Sequence, residues 1–421
     1  MNKKIKILTI GDHPLSPSGV GTQTKYMVEG LLRTGKYEFV SLAGAIKHED
    51  YSPVKTEEFK NDWVILPVDG YGTQEIVRSI IRNEKPDILW FMTDPRFYGW
   101  LWHIENEIRP LMPMIYYHVW DNYPYPKYNK QFYDSNDMIV TISKVTDDIV
   151  RTISPEVECI YHPHAVDNNL FTIIDENTVK SFRKSSFNGE KNPNRTMFFF
   201  NSRNARRKQS GSMLWWFKEF LDIVGHSNAC LLMHTDPKDP HGQDLEQMIM
   251  ELGLDKGQAL LSTRKVDPQA LVMLYNMADC TIAISDAEGF GLSVNESLSC
   301  GTPVIATMTG GLQDQVTDGE EFFGVGIEPS SKAVIGSQEV PYIYEDRISK
   351  ESYIDALLKI HEMSRKERKE LGKKGRDYVL KSYGYESYIK KWDEILMKAH
   401  ENYGSWGTRK DYKAWRFLEV S

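Results

Sequence analysis

Glu288 and Glu296 flank the turn Gly289-Phe290-Gly291-Leu292, with seven residues between the two acids. A strand is predicted just before this turn and a helix near Leu292, so the turn aims free backbone N–H groups at the mouth of a sheet. An anion there gains hydrogen bonds and the favourable end of the helix dipole, and a diphosphate suits such a place. Carboxylates cannot hold phosphate, but they accept hydrogen bonds from hydroxyls. One acid facing the group beyond the phosphates, and another reaching back along a nucleotide, would therefore suit a sugar and a ribose. Position alone equally allows a solvated Glu288 and a helix-capping Glu296.

A second group is basic. Arg203, Arg206, Arg207 and Lys208 lie in the turn after a strand predicted at 196–201. Cations placed there can stabilise the charge that builds on a departing phosphate, and a solvated basic turn is the plainer alternative. Nearer the start, the loop 11–22 carries Gly19 and Gly21, whose lack of a side chain permits close backbone approach. It is not a dinucleotide fingerprint, because the glycine pair comes late and Thr24 stands where the third glycine belongs. His118 follows Tyr116 and Tyr117 at the end of another predicted strand, and a lone histidine among aromatics is more often packed in a core. His234, Asp236, Asp239 and His241 are metal-type ligands, but the prolines among them favour an ordinary turn.

These residues need scaffolds, and 421 residues suit two α/β domains. Strands are predicted at 5–10, 39–42, 87–91, 114–117, 138–142 and 158–161, with a helix at 22–32. A second series follows, with strands at 196–201, 229–233, 280–284 and 302–306. Its helices begin after Ser210, span 244–252 before Gly253, and start again at Asp267-Pro268, an N-cap followed by a first-turn proline. Strands alternating with helices imply parallel sheets covered on both faces, so both halves read as Rossmann-like. The polar stretch 167–195, most linker-like at 191–195, marks the junction. The boundaries expected are an N-terminal domain at 1–172 and a C-terminal domain at 173–384, with 385–421 packing back on the first. Trp406, Trp415 and Phe417 in that tail pack there or form a self-association surface. The charge run 365–370 mixes both signs and reads as a solvated helix face.

Composition excludes several classes. With 41% apolar and 26% charged residues the chain is an ordinary globular one. Apolar runs such as 213–217 are far too short to span a bilayer, and the opening residues read as a first strand rather than a leader. Cys159, Cys230, Cys280 and Cys300 are widely spaced, which speaks against a disulfide framework or zinc site and fits a reducing cytoplasm. A net charge of -8 gives no general attraction to nucleic-acid backbones.

The run from Glu288 to Leu292, the spacing to Glu296 and the following Cys300-Gly301-Thr302-Pro303 resemble the E-x7-E region of retaining glycosyltransferase family 4 of the GT-B fold. The basic turn keeps that family's Arg-x4-Lys spacing at Arg203 and Lys208, although Arg206 and Arg207 leave the assignment ambiguous. The resemblance implies two Rossmann-like, doubly wound α/β domains facing across a cleft, with the N-terminal one on the acceptor side. It implies transfer of a sugar from a nucleoside diphosphate sugar to an acceptor hydroxyl, with retention of configuration and neither cofactor nor metal. Carried over residue by residue, His118, Arg203, Lys208 and Glu288 would serve catalysis, with His118 touching the donor sugar. Gly19, Gly21, Gly289, Phe290, Gly291, Leu292 and Glu296 would bind the donor.

The acceptor is not legible. A glycan or lipid-linked glycan is what the family resemblance implies, and a modified base in DNA is the alternative. A non-catalytic sugar-nucleotide binder and an epimerase are the readings from other classes, and homo-oligomerisation is left open. The aromatic loops 94–102 and 120–128 would either stack on an acceptor or pack in the core. Two departures stand out. His164-Ala165 replaces the family's Asn-Gly, and 327–347 is a longer excursion, expected to form a hairpin or loop near the cleft rim.

Overall fold

The structure is a computed structural model that describes residues 3–123, 125–186, 192, 194–410 and 412. The chain forms two compact units. One comprises residues 1–120, 124–164 and 386–421, the other 121–123 and 165–385. The chain leaves the first unit after His164 and returns to it at Glu386.

The first unit holds a seven-stranded sheet of β1 (Ile5–Asp12), β2 (Tyr37–Gly44), β3 (Trp63–Pro67), β4 (Ile88–Met92), β5 (Met114–His118), β6 (Met138–Thr141) and β7 (Glu158–Tyr161), in the order β3-β2-β1-β4-β5-β6-β7. All its pairings are parallel. Its strands read as continuous apolar runs because both faces are covered: Ile7, Leu8 and Ile10 of β1 are fully buried. β3 and the helix Gln74–Glu84 went unpredicted.

The first helix runs Gly19–Arg33 and begins earlier than expected. Ser18 caps it by accepting from the Gly21 amide at 2.9 Å, and its own hydroxyl donates to Asp12 at 2.6 Å. Gly19 and Gly21 therefore belong to the first helical turn and not to the loop before it. A Cβ on Gly21 would stand 2.6 Å from the His13 carbonyl oxygen, so the loop folds tightly over this turn.

The helix Tyr385–Tyr403 supplies Trp392, which is fully buried against Trp90, Tyr117 and His162 at ring separations of 5.9, 4.9 and 5.1 Å. Further on, Trp406 donates to the Pro86 carbonyl at 2.9 Å and Ser405 to Asp87 at 2.8 Å. Trp415 and Phe417 lie outside the described residues.

The second unit holds β8 (Thr196–Asn201), β9 (Ala229–His234), β10 (Ala259–Ser262), β11 (Cys280–Ala283), β12 (Val304–Thr307) and β13 (Gly324–Ile327), in the order β10-β9-β8-β11-β12-β13. This sheet too is parallel throughout. The helix Pro268–Met277 starts as its sequence dictates, with Asp267 accepting from the Ala270 amide at 2.8 Å. The excursion forms an antiparallel hairpin of β14 (Ser331–Ile335) and β15 (Ile343–Arg347). The helix Arg365–Ser382 is not a plain solvated face: Arg368 is buried, donates to the Ile360 carbonyl at 3.1 Å and pairs with Asp279 at 3.2 Å. Among the described residues no helix is long and apolar enough to cross a membrane.

Trp392→Ala should destabilise the protein by about 3–5 kcal/mol, the cost of emptying a large aromatic site, measured by denaturant unfolding of the first unit.

Candidate functional site

In a doubly wound sheet, ligands bind outside the carboxyl ends of the strands where the strand order reverses. In the second unit that point lies between β8 and β11. The turn after β8 carries Arg203 and Lys208, and the turn after β11 carries Glu288, so topology alone brings the two sequence motifs together.

Lys208 donates to Glu288, and both side chains are largely buried. Burial works to raise the Glu288 carboxyl, but the charges of Lys208 and Arg207 outweigh it and hold the group below its ordinary range. Arg203 is 60% exposed at the side chain yet fixed at its base. Its Nε and Nη2 donate to Asp239 at 2.5 and 3.1 Å, and Nη2 lies 2.7 Å from His241 Nδ1. The hydrogen bond from Arg203 keeps the Asp239 carboxyl well below the usual carboxylate range. Two of the metal-type residues of 234–241 thus orient an arginine, and His234 meets Ser262 Oγ at 2.9 Å.

Gly291 adopts the left-handed conformation, φ +91°, at the start of the helix Leu292–Ser299, and offers no side chain to cap it. The first N–H groups of a helix lack intrahelical partners, so this end presents donors to an anion. The turn Gly289–Gly291 rests on a second glycine turn that sequence reasoning missed. The Gly311 amide donates to the Glu288 carbonyl at 2.9 Å, and a Cβ on Gly311 would lie 2.5 Å from the Gly289 oxygen and 2.7 Å from the Phe290 Cα. The adjacent Gly310-Gly311 pair was the available signal. Phe290 itself is buried, its ring 5.5 Å from that of Tyr383, so it supports the turn from within.

Glu296 sits one helical turn further on. Tyr275 donates to its Oε2 at 2.6 Å and accepts from Asn201 Nδ2 at 2.7 Å. Burial pushes the Glu296 carboxyl up to about 7, against the opposing effect of the Tyr275 hydrogen bond.

In the first unit His118 ends β5 fully buried, with Nε2 3.0 Å from the Tyr133 hydroxyl. Its Nδ1 has no hydrogen-bond partner among the described residues, and burial pushes the ring down to about 3, so it is neutral. Of the aromatic loops, Tyr98, Trp102 and Trp120 are packed in the core, whereas Phe97 is 47% exposed.

Residues 182–378 match the family described as glycosyl transferases group 1. Sucrose-phosphate synthase from Thermosynechococcus elongatus aligns with a TM-score of 0.74 over 94% of this chain and 100% of its own, at 16% identity. A glycosyltransferase from Rickettsia africae aligns at 0.68 over 95% and 99%, also at 16% identity. The two units are thus the Rossmann-like domains of the GT-B fold. The D-inositol 3-phosphate glycosyltransferase of Corynebacterium jeikeium is 33% identical over 138 residues, 32% of this chain and 32% of that protein. Its counterpart in Corynebacterium urealyticum is 41% identical over 76 residues, 18% of each. The chain therefore matches a third or less of the length of these relatives.

Two outcomes follow from this geometry. Gly311→Ala should cost about 1–3 kcal/mol by thermal unfolding, because the added methyl meets backbone that cannot swing aside. Glu296 binds its proton more tightly folded than unfolded, so its contribution to stability is fully present below about pH 4.5 and lost as pH rises through about 7. The melting temperature of the unliganded protein, relative to that of Glu296→Gln, which mimics the protonated acid, should fall across that window.

Proposed function

We propose that this protein is a glycosyltransferase that takes a sugar from a nucleoside diphosphate sugar and delivers it, with retention, to an acceptor hydroxyl. The observation that carries this reading is the largely buried Lys208–Glu288 pair at the β8/β11 switch point, beside a helix start with no side-chain cap. The diphosphate lies against the first N–H groups of the helix Leu292–Ser299 and is met by Lys208 and the free edge of Arg203. Gly289 to Leu292 give it backbone contact, Glu288 accepts from sugar hydroxyls, and Glu296 accepts from the ribose.

In transfer, the bond between the sugar's anomeric carbon and the β-phosphate oxygen breaks as the acceptor oxygen bonds to that carbon. The acceptor proton passes to the departing phosphate. Glu288 is tied to Lys208 and Glu296 to Tyr275, which supports a reaction without a protein nucleophile. Arg203, Lys208 and the helix dipole stabilise the leaving charge, so the reading requires neither metal nor cofactor. His118 takes part through its Nδ1, which has no hydrogen-bond partner among the described residues, and Gly19 and Gly21 through the start of the first helix.

The acceptor in this reading is a glycan, a lipid-linked glycan or, from the names of the relatives, a phosphorylated polyol or sugar. HepE of Anabaena, solved in complex with UDP and glucose, shares the fold at a TM-score of 0.69 and 13% identity over 94% of this chain and 100% of its own, so UDP-glucose is a first donor to try. A panel of nucleotide sugars followed by thermal shift and then by released nucleotide tests the reading. A shift without release would point to a binder that does not turn over, and altered sugar without transfer to an epimerase.

Arg203→Ala and Glu296→Ala should each lower transfer about 10²–10³-fold while remaining folded, and near-normal turnover in both would sink the assignment. EDTA should leave turnover unchanged. Because a ribose hydroxyl needs the ionised Glu296, nucleotide affinity should fall about tenfold from pH 8 to pH 6, and the fall should flatten in Glu296→Gln.

A further inference from the structure

Arg206 shares the basic turn with Arg203 and Lys208, and its sequence position leaves its role open. In the structure its side chain is 51% exposed, but one edge of its guanidinium is committed. Nη1 and Nη2 donate at 2.7 Å each to the two carboxylate oxygens of Glu345 on β15, which is 2% exposed. Arg347 donates to Glu345 Oε2 at 3.0 Å and pairs with Asp286. Asp286, two residues before Glu288, also accepts from Gln209 Nε2 at 2.7 Å. The backbone closes the net: the Asp346 amide donates to the Asp286 carbonyl at 2.9 Å, and the Asp286 amide to the Arg207 carbonyl at 2.8 Å.

A two-stranded hairpin is marginal by itself and needs an anchor. The alternation along β14 and β15 shows where this one is held. Val334 and Tyr344 stand 68% and 37% exposed on one face, while Glu345 points inward from the other. An inward glutamate is costly unless paired, and the two-pronged Arg206 contact supplies a partner whose planar geometry fixes direction as well as charge. The same residues grip both turns that carry Lys208 and Glu288.

We infer that the hairpin is a brace that sets the relative position of the two donor-site turns. Glu345 is its positioning residue, and Arg206 is a tether to the hairpin rather than a phosphate ligand. The inference rests on the donor site proposed above. It also divides the basic turn, leaving Arg203, Arg207 and Lys208 as the cations available to an anion.

The test uses Arg206→Ala, Glu345→Ala, Glu345→Gln and the double variant, with amide hydrogen exchange across residues 285–291 and affinity for UDP as readouts. The brace requires exchange in that segment to speed up about tenfold in Glu345→Ala, with Glu345→Gln, which keeps the shape and one acceptor, falling between. UDP affinity should drop about tenfold in both single alanine variants and no further in the double variant, because the two residues act as one unit. Additive losses would make Arg206 a phosphate ligand and overturn the inference. So would tighter UDP binding in Glu345→Ala, where a released Arg206 could reach the ligand, or unchanged exchange. Faster exchange in a protein that binds UDP in no form would uphold the brace and sink the donor reading alone. If Glu345→Ala fails to fold, the intermediate exchange of Glu345→Gln decides.

Discussion

The ion pair between Lys208 and Glu288 is the interaction on which the second unit's chemistry depends. Removing two charges from water costs several kcal/mol per ion, and their mutual attraction repays this only when geometry is held closely. The holding is done by topology. Each residue sits in a turn at the carboxyl end of one of two adjacent parallel strands, β8 and β11, where the strand order reverses and no crossover helix fills the space. A slip of either turn would leave a charge buried and unpaired, so the pair penalises every other arrangement of the two loops.

The same logic extends to the neighbouring cations. Arg203 has Asp239, Arg206 has Glu345, and Lys208 has Glu288. Each basic group is thus preset by an acid from a different part of the chain: the turn after β9, the hairpin, and the turn after β11. The partners differ in what they leave available. Asp239 grips one edge of an arginine that is still 60% exposed, so Arg203 keeps donors for a ligand. Glu345 likewise takes two nitrogens of Arg206, and with Asp286 4.0 Å from Nη1 that arginine faces two acids where Arg203 faces one. A cluster of like charges is in this way turned into separately aimed groups without mutual repulsion opening the turn.

Much of this was legible in the sequence where the signal is local. The E-x7-E run, the Arg-x4-Lys spacing, the Asp267-Pro268 helix start and most strands are patterns within a few residues of one another, and the structure forms those elements. What escaped comes from distant segments. Asp239 and His241 read as part of an ordinary proline-rich turn because their partner, Arg203, lies 36 and 38 residues away. Tyr275 and Glu345 carry no local mark of the residues they support, and the Gly310-Gly311 pair marks a turn without marking the turn it supports. The start of the first helix is a different case: Ser18 three residues before Gly21 is an N-cap pattern, but the glycines drew attention to close approach instead. Arg368 was lost in a charge run because helical spacing does not say which face will meet an acid from elsewhere in the chain, here Asp279.

Glu296 shows how a charge can be kept in reserve. Its partner at the carboxyl group is a tyrosine hydroxyl, with no cation among the described residues to hold it ionised, and burial pushes it up to about 7. A fixed lysine here would have stabilised the carboxylate permanently and competed with any hydroxyl that came to it. Tyr275 instead orients the group through one oxygen and is itself oriented by Asn201 at the end of β8. That leaves the second oxygen to gain most from a ligand that donates hydrogen bonds. Where Glu288 is stabilised in advance by its lysine, Glu296 is stabilised only when such a ligand arrives, so the two acids differ in which step of binding they favour.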